Sequence, residues 1–252
     1  MKAMRPASTI HEVDAGEFSV RSVLIHGEKF SLVWDTLTHP RDMAGFAEAC
    51  EACASRHCFV VYSHADWDHV QGTAALANPL VIGHVECERR FREEARQTLA
   101  ELQAKEPDKW TQVRLVAPDI TFESRLDLDL GGLLVNLHAL PGHTPDSIVA
   151  FIPDKGLLLA GDAVELPCPC VPADCDLAAW ITSLERWRDH DGAHTVIPSH
   201  GPCGGKEILV RTIDYLVGLR EGTAPAMPED ASPMYVKTHE DNLRNCTLRA
   251  GA

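Results

Sequence analysis

A core strand that runs directly into a polar cluster is written in Cys58-Phe59-Val60-Val61-Tyr62-Ser63-His64-Ala65-Asp66-Trp67-Asp68-His69. The run Cys58 to Tyr62 is continuously apolar and of strand length, the pattern of a strand covered on both faces. In the extended chain beyond it, side chains at i, i+2 and i+4 point the same way, so His64, Asp66 and Asp68 converge and His69 turns in beside them. Groups of the same chemistry stand at the ends of later apolar runs: His143 in Pro-Gly-His-Thr, Asp162 in Ala-Gly-Asp-Ala and His200 in Pro-Ser-His-Gly. Any one of these, taken alone, reads as an ordinary satisfied polar residue. Together they form the donor set that divalent zinc, iron or manganese accepts, and carboxylates can bridge two ions. The expectation is a binuclear metal centre.

Outward from that cluster, strands and helices alternate. Ser19 to His26 and Lys29 to Asp35 are β-rich runs around a hairpin-like His26-Gly27-Glu28 junction, and a helix is expected over Arg41 to Ser55. Val85 to Lys109 is dominated by Glu, Arg, Gln, Ala and Leu, and reads as a long exposed helix with a solvated charged face. Strands return from Val113: Leu126 to Leu130, Leu133 to Leu140 with a stop at Pro141-Gly142, Ser147 to Ile152, and Gly156 to Ala160. Asp176 is placed to cap a helix over Leu177 to Arg188, Thr195 to Ile197 is a short strand, and Lys206 to Leu219 is another helix. Strands followed by helices, twice over, describe two α/β halves whose sheets pack together with helices outside. After Gly222 the composition shifts to Ala, Pro, Met and Asp, so one domain is expected over residues 1–222, with a linker and C-terminal arm over 223–252.

Composition limits the partners. The chain has 252 residues, 45% apolar and 24% charged, enough for a full core without a disulfide or metal staple. Asp and Glu number 37 against 23 Lys and Arg, and the net charge of −14 repels phosphate backbones and anionic lipid alike. Neither nucleic acid nor a membrane is expected as a partner; a small-molecule substrate is, and assembly into a homo-oligomer is left open. The N-terminus, MKAMRPASTIHEVDAGEF, lacks the apolar stretch of a secretory signal, and no segment approaches the roughly 18 apolar residues that span a bilayer, so a cytoplasmic location is expected. Nine cysteines are too few for a disulfide scaffold and an odd number besides, which points to reduced thiols.

The order H-x-D-x-D-H, PGHT, GD, PSHG resembles the metallo-β-lactamase-fold superfamily over roughly residues 10 to 220. The resemblance implies an α/β fold of the αββα four-layer sandwich type with metals at one edge. It further implies that His64, Asp66 and His143 hold a first metal, that Asp68, His69 and His200 hold a second, and that Asp162 bridges them. Asp35, in Val-Trp-Asp-Thr, resembles the family's early strand-end Asp, which supports a ligand from behind; capping a turn is the other reading. The family's common pattern is H-x-H-x-D-H, and here Asp66 takes the place of the second His. Two imidazoles and a carboxylate also suit non-haem iron. The family's flavin-dependent di-iron reductases carry Glu at that place, yet this chain has no flavodoxin-like segment. Two divalent ions are therefore expected, zinc first, with iron or manganese as alternatives.

Such a pair lowers the pKa of a shared water so that it attacks an ester, thioester, lactone, amide or phosphoester, and Asp68 would orient that water or pass its proton. No serine or cysteine triad is evident. Glyoxalase-II-like thioesterases and lactonases are analogies for the substrate, whereas the acidic balance argues against the RNA-processing branch. Rival readings are a non-haem iron redox enzyme, which Asp66 keeps alive, and a non-catalytic metal-binding protein, which has little need of all these ligands. Trp67 either lines the pocket mouth or packs behind the metal loop. Cys168, Cys170 and Cys175 read as loop or pocket thiols, Cys50, Cys53 and Cys58 as buried reduced ones, His84 as a surface or capping residue, and Glu165 as solvated rather than as a general acid.

Overall fold

The computed structural model describes residues 8–52 and 57–250, with side chains as far as residue 246. Cys53, Ser55 and the first seven residues lie outside the described residues. The N-terminal half runs β1 (Ser8–Asp14), β2 (Ser19–His26), β3 (Phe30–Trp34), α1 (Ala44–Ala52), β4 (His57–Val61), α2 (Trp67–Val70), β5 (Leu80–His84), α3 (Val85–Arg90), α4 (Arg96–Lys105), α5 (Pro107–Trp110) and β6 (Ile120–Phe122). The C-terminal half runs β7 (Arg125–Asp129), β8 (Leu134–Ala139), β9 (Ile148–Ile152), β10 (Leu157–Gly161), α6 (Leu177–Asp189), β11 (Thr195–Pro198), α7 (Lys206–Glu221) and α8 (Pro233–Ala250).

Each half builds one sheet. The first has the order β1-β2-β3-β4-β5-β6, antiparallel through β3 and parallel from there on; the second has the order β11-β10-β9-β8-β7, with only β10 and β11 parallel. Alternation along the strands sends one set of side chains between the sheets, where Val23, Ile25, Leu32, Trp34, Val61 and Ile82 meet Val135, Leu137, Ile148, Ala150 and Leu159. The other set faces outward under helices. Leu24, Val33, Val60 and Tyr62 pack on Met43, Phe46 and Phe91, while Val149, Leu158 and Val196 pack on Trp180, Leu184, Leu209 and Leu216. The order of layers is helix, sheet, sheet, helix, as expected from the resemblance. Each large aliphatic side chain removed from water in these layers contributes roughly 1.5–3 kcal/mol.

Two local readings need correction, and the C-terminal arm acquires a helix. No strand is foreseen at Ser8–Asp14, because β1 is an edge strand that leaves even Ile10 exposed and so carries no apolar alternation. The segment Val85 to Lys109 is not one exposed helix: a π turn over Phe91–Ala95 interrupts it and Glu106 breaks it before α5. Its inner side buries Cys87, Phe91, Ala95 and Leu99, so its charges do not form a uniformly solvated face. The chain beyond Gly222 holds α8, whose Tyr235 and Cys246 pack against the cluster under α6 and α7 and whose Asn242 is fully buried. No helix among the described residues is long and apolar enough to cross a membrane.

Candidate metal centre

The carboxyl ends of β3, β4, β8, β10 and β11 lie at one edge of the sandwich, the position where side chains leaving parallel strands can meet. Asp35 follows β3, the loop His64 to His69 follows β4, His143 follows β8, Asp162 follows β10 and His200 follows β11. Two glycines let these loops close on each other. Gly161 has φ +54°, and a Cβ there would stand 2.8 Å from the Cβ of Ser63, beside His64. At Gly142 a Cβ would lie 2.2 Å from the indole of Trp180.

All of the residues expected to ligate metal are brought together. They fall into the groups His64, Asp66, His143; Asp68, His69, His200; and His64, His69, Asp162. One oxygen, Asp162 Oδ2, lies 3.3 Å from His200 Nε2, 3.4 Å from His69 Nε2, and 3.7 Å from the Nε2 atoms of both His64 and His143. Asp66 Oδ2 is 3.4 Å from His64 Nε2 and from His143 Nε2, and Asp68 Oδ2 is 3.4 Å from His200 Nε2. These separations are long for hydrogen bonds. They match the ligand-to-ligand edge of about 3.4 Å that follows from tetrahedral coordination with bonds of about 2.1 Å.

The opposite face of each imidazole is occupied. His64 Nδ1 is 2.9 Å from Ser63 Oγ, His69 Nδ1 2.9 Å from Asp35 Oδ2, His143 Nδ1 3.0 Å from the carbonyl of Cys170, and His200 Nδ1 2.7 Å from the carbonyl of Ser19. A carbonyl only accepts, so His143 and His200 donate from Nδ1 and keep the Nε2 lone pair for the centre. The Nε2 atoms of His64, His69 and His143 and Oδ1 of Asp162 are buried without a hydrogen-bond partner. Inward lone pairs left unpaired at this cost are what a cation would satisfy, and the residues fit such a group.

Charge and burial compete here. Burial opposes ionisation of Asp162 and Asp66, but the imidazoles of His200 and His69 around the one, and of His64 and His143 around the other, hold both carboxyls well below their usual range. Conversely, burial would lower His69, yet Asp162, Asp68 and Asp35 together hold it well above the ordinary imidazole value.

Asp35 supports the centre from behind. It is fully buried at φ 57°, accepts from the backbone N–H and the hydroxyl of Ser63, each at 2.7 Å, and meets His69. A left-handed non-glycine residue is strained, and here the strain aims the carboxylate. Trp67 packs: it lies edge-on to Trp110 at 5.7 Å and Phe18 at 6.1 Å, beside the metal loop. His84 caps α3 by accepting from Glu86 N, as the capping reading has it. Cys50 and Cys58 are free thiols whose sulfurs share a hydrogen bond at 3.6 Å, and Cys170 is exposed at the pocket while Cys168 is buried.

Sequence reasoning misses two residues. Glu165 is not solvated: it is buried against the centre, shares an open pocket of about 200 Å³ with Asp68, Asp162 and His200, and accepts from Tyr235 Oη at 2.7 Å. A lone charge inside the apolar run Ala163-Val164-Glu165-Leu166 is the signal that could have exposed it. The other is Arg90, which grips Asp66 at 2.7 Å from within the supposedly solvated helix.

Burial, followed by the attraction of His200 and repulsion by Asp162, leaves the Glu165 carboxyl raised from 4.5 to about 7, with Tyr235 and His143 also facing it. A folded-state value above the unfolded one means stability that is complete below about pH 4.5 and lost as pH rises through about 7. Glutamine keeps the shape and the Tyr235 contact but has no proton to lose. Glu165→Gln is therefore expected to match the parent near pH 4.5 and to exceed it above about pH 8, by up to about 3 kcal/mol in urea unfolding of chelator-stripped protein. An equal difference at both pH values would contradict the assignment.

The sequence model described as the metallo-beta-lactamase superfamily matches residues 15–200. Among individual proteins, the linear primary-alkylsulfatase of Pseudomonas sp. (strain ATCC 19151) is 30% identical over 129 residues, 47% of this chain and 24% of the relative. The hydroxyacylglutathione hydrolase of Anaeromyxobacter dehalogenans is 28% identical over 131 residues, 51% of this chain and 41% of the relative. The chain thus spans less than half the length of either relative. Among solved structures, a metallo-beta-lactamase of Pseudomonas aeruginosa in its mono-zinc form superimposes with a TM-score of 0.63 at 21% identity, over 89% of this chain and 99% of that one.

Proposed function

From the premise that the chain belongs to the metallo-beta-lactamase superfamily, we propose that it is a metal-dependent hydrolase of a small molecule, with two divalent ions, zinc by first choice, at the edge of the sandwich. The observation that carries this reading is the placement of a single oxygen, Asp162 Oδ2, between four imidazole nitrogens at 3.3–3.7 Å. His64, Asp66 and His143 would hold the first ion, Asp68, His69 and His200 the second, and Asp162 both. A divalent pair bound there supplies activation of water near neutral pH and polarisation of the bond to be cleaved.

The chain's own residues do the rest. Asp68 faces the pocket beside His200 and is the group that would orient the attacking water and take up its proton. Phe18, edge-on to His200 at 5.1 Å, and Met234 give the pocket apolar surface. Its described lining includes carboxylates but neither Lys nor Arg, so nothing there grips an anionic tail. That favours a substrate whose part beyond the cleaved bond carries no negative charge.

The test is elemental analysis of the full chain after metal-replete expression, followed by an ester, thioester, lactone and phosphoester panel. The expected result is close to two equivalents of zinc, with turnover that a chelator removes and zinc restores. Less than one equivalent of any transition metal would end the proposal. Stoichiometric iron with visible absorption and oxygen consumption would instead favour the redox reading that the carboxylate of Asp66 supports.

A further inference from the structure

Arg90 ends α3 with its side chain only 12% exposed, and each of its donor nitrogens meets a carboxylate. Nη2 donates to Asp66 Oδ1 at 2.7 Å, Nη1 to Asp146 Oδ1 at 2.8 Å and Nε to Glu94 Oε2 at 2.8 Å. Asp146 is fully buried and lies on the loop that carries His143, so the guanidinium ties that loop to the one that carries His64 and Asp66. The two oxygens of Asp66 are thereby divided. Oδ1 is committed to Arg90, and Oδ2 alone stands within 3.4 Å of His64 Nε2 and His143 Nε2.

We propose that Arg90 is a positioning residue that converts Asp66 into a one-oxygen donor, so that Asp66 held by Arg90 does the work of an imidazole in the first triad. Two physical consequences follow from the geometry. With Oδ1 held by Nη2, and Nη2 itself fixed by the bonds that Nη1 and Nε make to Asp146 and Glu94, Asp66 offers Oδ2 alone, so the ligand count stays that of a histidine. The guanidinium, which also faces Asp146 and Glu94, offsets part of the extra negative charge that a carboxylate brings where an imidazole would bring none.

This inference rests on the reading of His64, Asp66 and His143 as a metal triad, and zinc alone is the probe. Zinc affinity of the full chain is measured by competition with a chromophoric chelator, without substrate. Arg90→Lys keeps the charge but loses the two-pronged fork, and the weaker-bound of the two zinc equivalents, or the one lost first on titration, is expected to fall about tenfold in affinity. With Asp66→His as the background there is no carboxylate to position, and adding Arg90→Lys is expected to change affinity by less than twofold. Should the histidine variant fail to fold, Asp66→Ala, which has no side-chain oxygen for Arg90 to hold, serves as the background, with the same loss of the effect expected. An equal loss in both backgrounds would reduce Arg90 to a structural tie and overturn the proposal, as would unchanged affinity in the parent. If the parent itself binds no zinc, it is the metal reading that fails, which separates the two.

Discussion

Alanine in place of Asp68 is expected to lower turnover roughly a hundred- to ten-thousand-fold while leaving the chain folded. Burial works against charge on this carboxyl, but the imidazoles of His69 and His200 outweigh it and hold the group ionised at neutral pH. Asp68 stands in the first turn of α2, at the pocket wall rather than under a sheet, so its removal opens onto solvent and leaves no sealed cavity. A melting temperature within a few degrees of the parent is the expected companion result. Asparagine separates its two duties. Asp68→Asn keeps an oxygen near His200 but cannot take up a proton, so it should be nearly as slow as alanine at saturating substrate even under excess zinc that refills the second triad. Wild-type-like rates in the alanine variant would remove Asp68 from the chemistry altogether.

How much of this was legible in the sequence follows from where each interaction is encoded. Donors on strand ends announce themselves, because an apolar run followed by His or Asp records both the direction of the chain and the chemistry it delivers; His143, Asp162 and His200 are all of this kind. The layered fold is legible for the same reason, since β2, β9 and α6 carry their burial patterns in short windows. What supports the ligands is not legible. The partners of His143 and His200 are carbonyls of Cys170 and Ser19, which any residue could supply. Arg90 sits amid Glu and Arg in a run whose composition is that of a solvated helix, and only the packing of Cys87 and Phe91 turns its side chain inward. Tyr235 reaches Glu165 across 70 residues, a contact that no local pattern can announce.

Asp35 carries the second large expected effect, because its carboxylate serves the fold and the centre with the same two oxygens. Oδ1 accepts the backbone N–H of Ser63; Oδ2 accepts the Ser63 hydroxyl at 2.7 Å and meets His69 Nδ1 at 2.9 Å, with Ser199 Oγ more distant at 3.4 Å. Asp35→Ala would strand a buried N–H and leave the His69 ring without its anchor, at a cost of roughly 3–5 kcal/mol in denaturant unfolding. Asp35→Asn isolates the part that matters to the metal. Its carbonyl oxygen can still accept from Ser63 N, so the loop is retained, but its amide places a donor against the protonated Nδ1 of His69, and the ring must turn or take its proton on Nε2. Either response removes the lone pair from the second triad. Zinc affinity at one of the two sites should then fall by about 10–100-fold, with stability lost by less than in the alanine variant. Asparagine that binds zinc as tightly as the parent would mean that His69 is aimed by packing alone, and that the strained backbone at position 35 has no part in holding the metal.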